Sequence, residues 1–141
     1  MKLTLPLIAV LCTALLFASC TDYGKKAKKG TVEVYYKDGI TASEAELTAS
    51  ILAYIDSSQN SNTKETRSMQ LTSQKDTICF KMVANKDKLA GVNDIAFQLI
   101  GTMIGDSVFK GKPVAVELTD NTFNTFKKIP YKKLDLNNLP E

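Results

Sequence analysis

The sequence predicts an α+β fold: a two-layer sandwich of one β-sheet and two helices, in the order strand, helix, strand, strand, helix, strand. Three observations carry this. Segments around Val34, Met69, Phe80 and Val116 alternate apolar and polar residues with the period of a strand. Two longer segments between them repeat apolar residues at three and four, the period of a helix. Gly, Asp, Asn and Pro punctuate the junctions.

The first strand is Thr31 to Tyr36, with Val32, Val34 and Tyr36 on one face and Glu33 and Tyr35 on the other. Asp38-Gly39 stops it with a turn. Thr41-Ala-Ser-Glu44 has the spacing of a capping box, a hydroxyl at the N-cap and a carboxylate three residues on. It predicts a helix from Ala42 to Asp56 whose buried face holds Leu47, Ile51, Tyr54 and Ile55. Polar residues 57–63 end it. Thr66 to Thr72 and Thr77 to Ala84 then read as a hairpin. Met69 and Leu71 share its inner face with Ile78, Phe80 and Met82.

Leu89, Val92, Ala96, Leu99 and Met103 recur at helical spacing, widened by Ile95, Ile100 and Ile104. This second helix should be the better buried, with Leu99 in the core. Gly101 and Gly105 lie four apart and suit close packing on the sheet. Val114, Val116 and Leu118 form the inner face of a fourth strand, and Phe123 to Ile129 adds a fifth at an edge. Leu134, Leu136 and Leu139 in the tail are placed to dock on the core. The order of elements resembles a ferredoxin-like βαββαβ fold, a likeness that carries no function.

The 141 residues are 44% hydrophobic, with a net charge of +3 and no His or Trp. Without His, the commonest general base and the commonest metal ligand are both missing. The positive charge is local. From Thr31 onward there are 13 Lys and Arg against 14 Asp and Glu; the excess sits at Lys2 and at Lys25, Lys26, Lys28 and Lys29. A nucleic-acid binder concentrates basic charge on its fold, so nucleic acid is excluded as the expected partner.

The N-terminus reads as an address. Met1-Lys2 is followed by a 15-residue apolar run, Leu3 to Phe17, then Ala18-Ser19-Cys20. A charged head, a short apolar stretch and small residues form a secretory signal. As a helix the run spans about 22 Å, short of the roughly 30 Å needed to cross a bilayer. Phe17-Ala18-Ser19-Cys20 resembles the lipobox of bacterial lipoproteins. That resemblance implies cleavage before Cys20 and acylation of its thiol, anchoring the chain to a membrane of the cell envelope, on the periplasmic side. The expected organisation is a signal peptide over 1–19, a lipidated Cys20 with a basic tether to residue 30, and one α+β domain over 31–141. Cys12 leaves with the signal, so the mature domain keeps Cys79 as its free thiol.

The stretches GTVEVYYKDGIT, RSMQLTSQKDTICFKMV and KPVAVELTD resemble small bacterial domains with no known activity, and imply no site. Cys79 on its strand points away from the helices, with Lys81 on the same face. A thiolate nucleophile needs a base or a lowered pKa, and no His supplies the base. Ser61–Lys64 and Ser107–Lys110 match S-x-x-K without the companion motifs of the enzymes that use it. Asp87 and Asp94 read as solvated helix-end charges. No catalytic residue, cofactor or metal is expected. What remains is the open face of the sheet, carrying Glu33, Tyr35, Cys79, Lys81 and Glu117. If the strands at 31–36 and 77–84 are neighbours, Glu33 pairs with Lys81 across them. The expected function is a lipid-anchored envelope domain that binds a protein or a small ligand. The alternative is a small thiol-dependent enzyme or redox protein using Cys79.

Overall fold

The structure, a computed structural model, describes residues 22–59 and 64–134. The signal peptide, Cys12, Cys20, Ser61, Leu136 and Leu139 lie outside the described residues. In chain order the elements are β1 (Lys25–Lys29), β2 (Val32–Tyr36), α1 (Ala42–Ser58), β3 (Arg67–Gln74), β4 (Thr77–Val83), α2 (Asp94–Val108), β5 (Val114–Thr119) and β6 (Thr125–Ile129), with a short 3-10 turn at Lys86–Leu89 before α2.

The architecture is α+β, a six-stranded mixed sheet with two helices on one face. The ferredoxin-like order is not the one adopted. Strand order across the sheet equals chain order, β1 to β6. β2 pairs directly with β3 in parallel, and β4 directly with β5, while β1, β3 and β6 run antiparallel to β2, β4 and β5 respectively. Each helix therefore bridges adjacent strands, where a ferredoxin-like helix spans strands with a third between them. The sheet steps the same way from β2 to β3 and from β4 to β5, but the second pair points the opposite way. With both helices on one face, the two crossovers have opposite hands, and one is of the rarer left-handed kind.

The helix-facing layer is the core. Val32, Val34, Leu71, Phe80, Val116 and Leu118 are all buried on it, as their alternation predicts, and Ile129 joins them. The capping box of α1 forms as read: the Glu44 N–H donates to Thr41 Oγ1 (3.2 Å), and the Thr41 N–H donates to Glu44 Oε2 (2.8 Å). The buried face of α1 is different from the expected one. Ala45, Thr48, Ala49 and Leu52 are buried, while Leu47 is 45% and Tyr54 73% exposed. Small side chains let the helix axis approach the sheet, and that approach wins over the larger apolar stripe.

The same logic governs α2. Its buried residues are Gly101, Ile104, Gly105 and Val108, and Leu99 is only half-buried. Leu89 and Val92 precede the helix. A Cβ at Gly101 would stand 2.8 Å from the Val114 carbonyl oxygen, and one at Gly105 2.6 Å from that of Lys112. The glycine pair is thus where α2 lies on β5, as its spacing suggests.

The largest correction concerns residues 20–30. Lys25–Lys29, expected in a tether, is an edge strand. Ala27 pairs with Val34 and is buried on the helix side, and the four lysines around it are exposed. The sheet therefore begins before Thr31.

Candidate binding face

The face of the sheet away from the helices is open and floored by polar side chains. Strand register aligns Lys26, Tyr35, Gln70, Lys81, Glu117 and Lys128 in one row across all six strands. Thr72, Cys79 and Ala115 form a second, shorter row. Glu33, Tyr35, Cys79, Lys81 and Glu117 thus share this face as expected, but they divide into separate groups.

Glu33 does not reach Lys81, because β3 runs between their strands and the two lie in different rows: Glu33 stands opposite Ser68, and Lys81 opposite Gln70 and, beyond it, Tyr35. The Glu33 carboxylate instead accepts from Lys26 Nζ (3.1 Å) and lies 3.4 Å from Lys28 Nζ. The Lys26 hydrogen bond holds the carboxyl below its usual pKa, against a partial desolvation cost, and in turn raises Lys26. Lys81 donates to the Phe123 carbonyl (3.4 Å).

Three aromatic rings cover the row. Tyr35 from β2, Tyr23 from the residues before β1 and Phe123 from the β5–β6 turn meet edge to face, with centroids 5.3 to 5.8 Å apart. Gln70 Nε2 donates to the Tyr23 carbonyl (3.0 Å) and fixes that arm on the sheet. Phe123 is held in the left-handed region, φ 59°. Asp120 imposes that turn by accepting from Thr122 N–H (2.9 Å), Thr122 Oγ1 (2.8 Å) and Asn124 N–H (3.0 Å). These donors, led by the Thr122 hydroxyl, lower the Asp120 pKa to about 2.

Beside the aromatic cover a groove of about 470 Å³ opens, lined by Lys75, Thr77, Cys79, Glu117, Lys128 and Pro130 among others. Glu117 is buried to 7% exposure. It accepts from Thr125 Oγ1 at 2.5 Å and lies 3.8 Å from Lys128 Nζ. Cys79 is buried to 4% exposure. Burial, then the Glu117 carboxylate, pushes its thiol pKa up, and a hydrogen bond with Thr72 and the charges of Lys81 and Lys128 oppose this. The groove therefore holds a protonated thiol at neutral pH, a poor nucleophile.

Of the other candidates, Ser107 and Lys110 are exposed at the end of α2. Asp94 pairs with Lys127 (2.6 Å). Among the described residues no three His, Cys, Asp or Glu side chains are grouped to hold a metal ion, and no helix is long and apolar enough to cross a membrane. Sequence reasoning missed Tyr23, Gln70, Phe123 and Lys128. The Asp120 turn was the available signal for Phe123; Tyr23 had none, being read as tether.

Fold and face together define a small two-layer α+β domain with a polar, aromatic-covered sheet surface. Residues 26–130 match the AF_1994_N family, described as a family N-terminal domain, and the chain belongs to that family. No curated protein and no solved structure matches it.

Proposed function

We propose that the protein is a lipid-anchored domain of the bacterial cell envelope that binds another protein or a small ligand on the open face of its sheet. The observation that carries the binding role is the row of alternating charged, aromatic and amide side chains across six strands, beside a groove. Such a surface offers both hydrogen-bond donors and acceptors with an apolar cover, the mix that polar ligands and peptide segments use. The Phe17–Cys20 motif supports the anchor.

Two measurements test this. Radiolabelled palmitate should enter the wild-type chain and not the Cys20→Ala variant. A photo-crosslinking residue at Lys128, on the open face, should give a discrete adduct in intact cells, and one at Glu46 on the exposed side of α1 should not. Equal adducts from both sites would remove the binding face. The second reading is thiol chemistry at Cys79, which floors the groove beside Glu117. Its raised pKa weighs against it. Maleimide labelling of Cys79 should be slow at pH 7 and accelerate on unfolding; fast labelling of the folded chain would restore the thiol reading.

A further inference from the structure

The basic run after Cys20 is a sheet edge, and it begins five residues after that cysteine. Gly24 turns with φ +89°, and a Cβ there would stand 2.3 Å from the Tyr36 carbonyl oxygen. Its N–H donates to Asp22 Oδ1 (2.9 Å), Lys37 Nζ donates to the Asp22 carbonyl (3.4 Å), and Gln70 holds the Tyr23 carbonyl. The chain is thus pinned to the domain as far back as Asp22. From there to Cys20 is two residues, at most about 7 Å. A lipid on Cys20 holds the domain directly against the bilayer surface.

What the domain presents beside that point is β1. Lys25, Lys26, Lys28, Lys29 and Lys37 stand there, with Asp22, Glu33 and Asp38 as the carboxylates on the same stretch of chain. Glu33 serves Lys26 and Lys28. Lys25 and Lys29, on the helix side of the strand, are exposed, and their ammonium groups hold no hydrogen bond or ion pair among the described residues. The opposite edge differs: Lys127 and Lys128 each have a carboxylate, Asp94 and Glu117. Exposed ammonium groups without a carboxylate, on an edge that starts five residues after the anchor, suit anionic lipid headgroups.

We propose that the β1 edge docks on anionic lipid headgroups through Lys25 and Lys29, so that the domain lies on the membrane in a set orientation. The proposal rests on the Cys20 anchor for its geometry, but its electrostatic part is measurable without the acyl chains. The chain from residue 20 to 141 carrying Cys20→Ala is sedimented with vesicles of phosphatidylglycerol and phosphatidylcholine, and with phosphatidylcholine alone. Binding is expected to the anionic vesicles only and to weaken with salt. Lys25→Gln with Lys29→Gln should lower it about five-fold per lysine. Lys127→Gln with Lys132→Gln, at the opposite edge, should leave it unchanged. All four substituted positions are exposed, and thermal melts confirm that the fold persists. Equal partitioning to both vesicle types, or equal losses from the two edges, overturns the proposal. So does a chain that doubles its mass in sedimentation without binding vesicles, which assigns the edge to strand pairing between copies. Failure of the wild-type chain to take up palmitate would remove the anchor, a result distinct from any of these.

Discussion

The two edges of the sheet solve the same problem by different means. Both leave a row of backbone N–H and C=O groups unpaired, and both carry lysines that discourage another strand from adding. β1 is KKAKK, with one buried side chain, Ala27. β6 is TFKKI, with Ile129 buried at 1% exposure and Phe126 packed against the core. The reason lies above the sheet. α1 lies across β1 and β2 and covers Ala27, the one buried side chain of β1, whereas α2 lies mainly on β5, and on β6 Ile129 is buried and Phe126 packs against the core. One edge is therefore held by backbone pairing beneath a close helix, the other by its own apolar side chains. Each lysine of β6 has its own carboxylate; on β1, Lys26 and Lys28 share Glu33, and Lys25 and Lys29 have none.

The strongest way to break this contrast is to delete β1. A chain beginning at Thr31 loses Ala27 and turns β2 into an edge, exposing the strand that carries the fully buried Val32 and Val34. It should lose its cooperative thermal transition, measured by far-UV circular dichroism. A cooperative melt near that of the longer chain would show that β1 is dispensable.

Next in size is the anchor of β6. Ile129→Ala should cost about 2–5 kcal/mol in denaturant unfolding, the range for deleting a buried isoleucine side chain. Ala27→Gly on the opposite edge should cost only about 1 kcal/mol, the backbone-entropy difference. Equal costs would mean that the edges are held alike.

The turn that precedes β6 supplies a pH test. The Asp120 carboxyl is depressed to about 2, below the ordinary aspartate value of about 3.9. Its contribution to stability is therefore complete above about pH 4 and is lost as pH falls through 2. Carboxyl NMR titration should place its midpoint near 2, and Asp120→Ala should remove the acid-dependent loss of Phe123 packing against Tyr23. A midpoint close to 4 would show that the turn does not hold the carboxylate.

The smallest effect is expected at Glu33. Glu33→Gln removes the carboxylate shared by Lys26 and Lys28. These are exposed ammonium groups, so the melting temperature should fall slightly at low salt, and the difference should vanish at about 1 M salt. A large, salt-independent loss would make Glu33 a structural group of the β1–β2 pair.

Much of this architecture is legible in the sequence. The alternation of Val32–Val34, Met69–Leu71, Ile78–Phe80 and Val114–Val116 places four strands and their inner face, and Thr41 and Glu44 mark the start of α1. The glycine pair marks where α2 touches the sheet. Three things are not legible, each for a physical reason. β1 has no apolar alternation, because its strand state comes from pairing with β2 and a single methyl under α1. The buried face of α1 is drawn by small residues, which carry little hydrophobic signal, so Leu47 and Tyr54 mislead. Strand adjacency has no local code at all, and the expected Glu33–Lys81 pair failed on it. The candidate face was readable residue by residue on β2, β4 and β5. Its cover was not, since Tyr23 and Phe123 arrive from segments far apart in sequence.

Chain order and strand order coincide across the whole sheet, and this bears on how the molecule is made. A chain leaving a ribosome or a translocation channel N-terminus first presents β1, then β2, then β3, and each new strand finds its only upstream neighbour already in place. No strand has to be inserted between two that have formed, and no vacant slot waits for the C-terminus. Such vectorial assembly confines growth to one edge, always the newest strand, while the other stays the lysine-bearing edge of β1, and it shortens the interval in which a newly made strand can meet another chain.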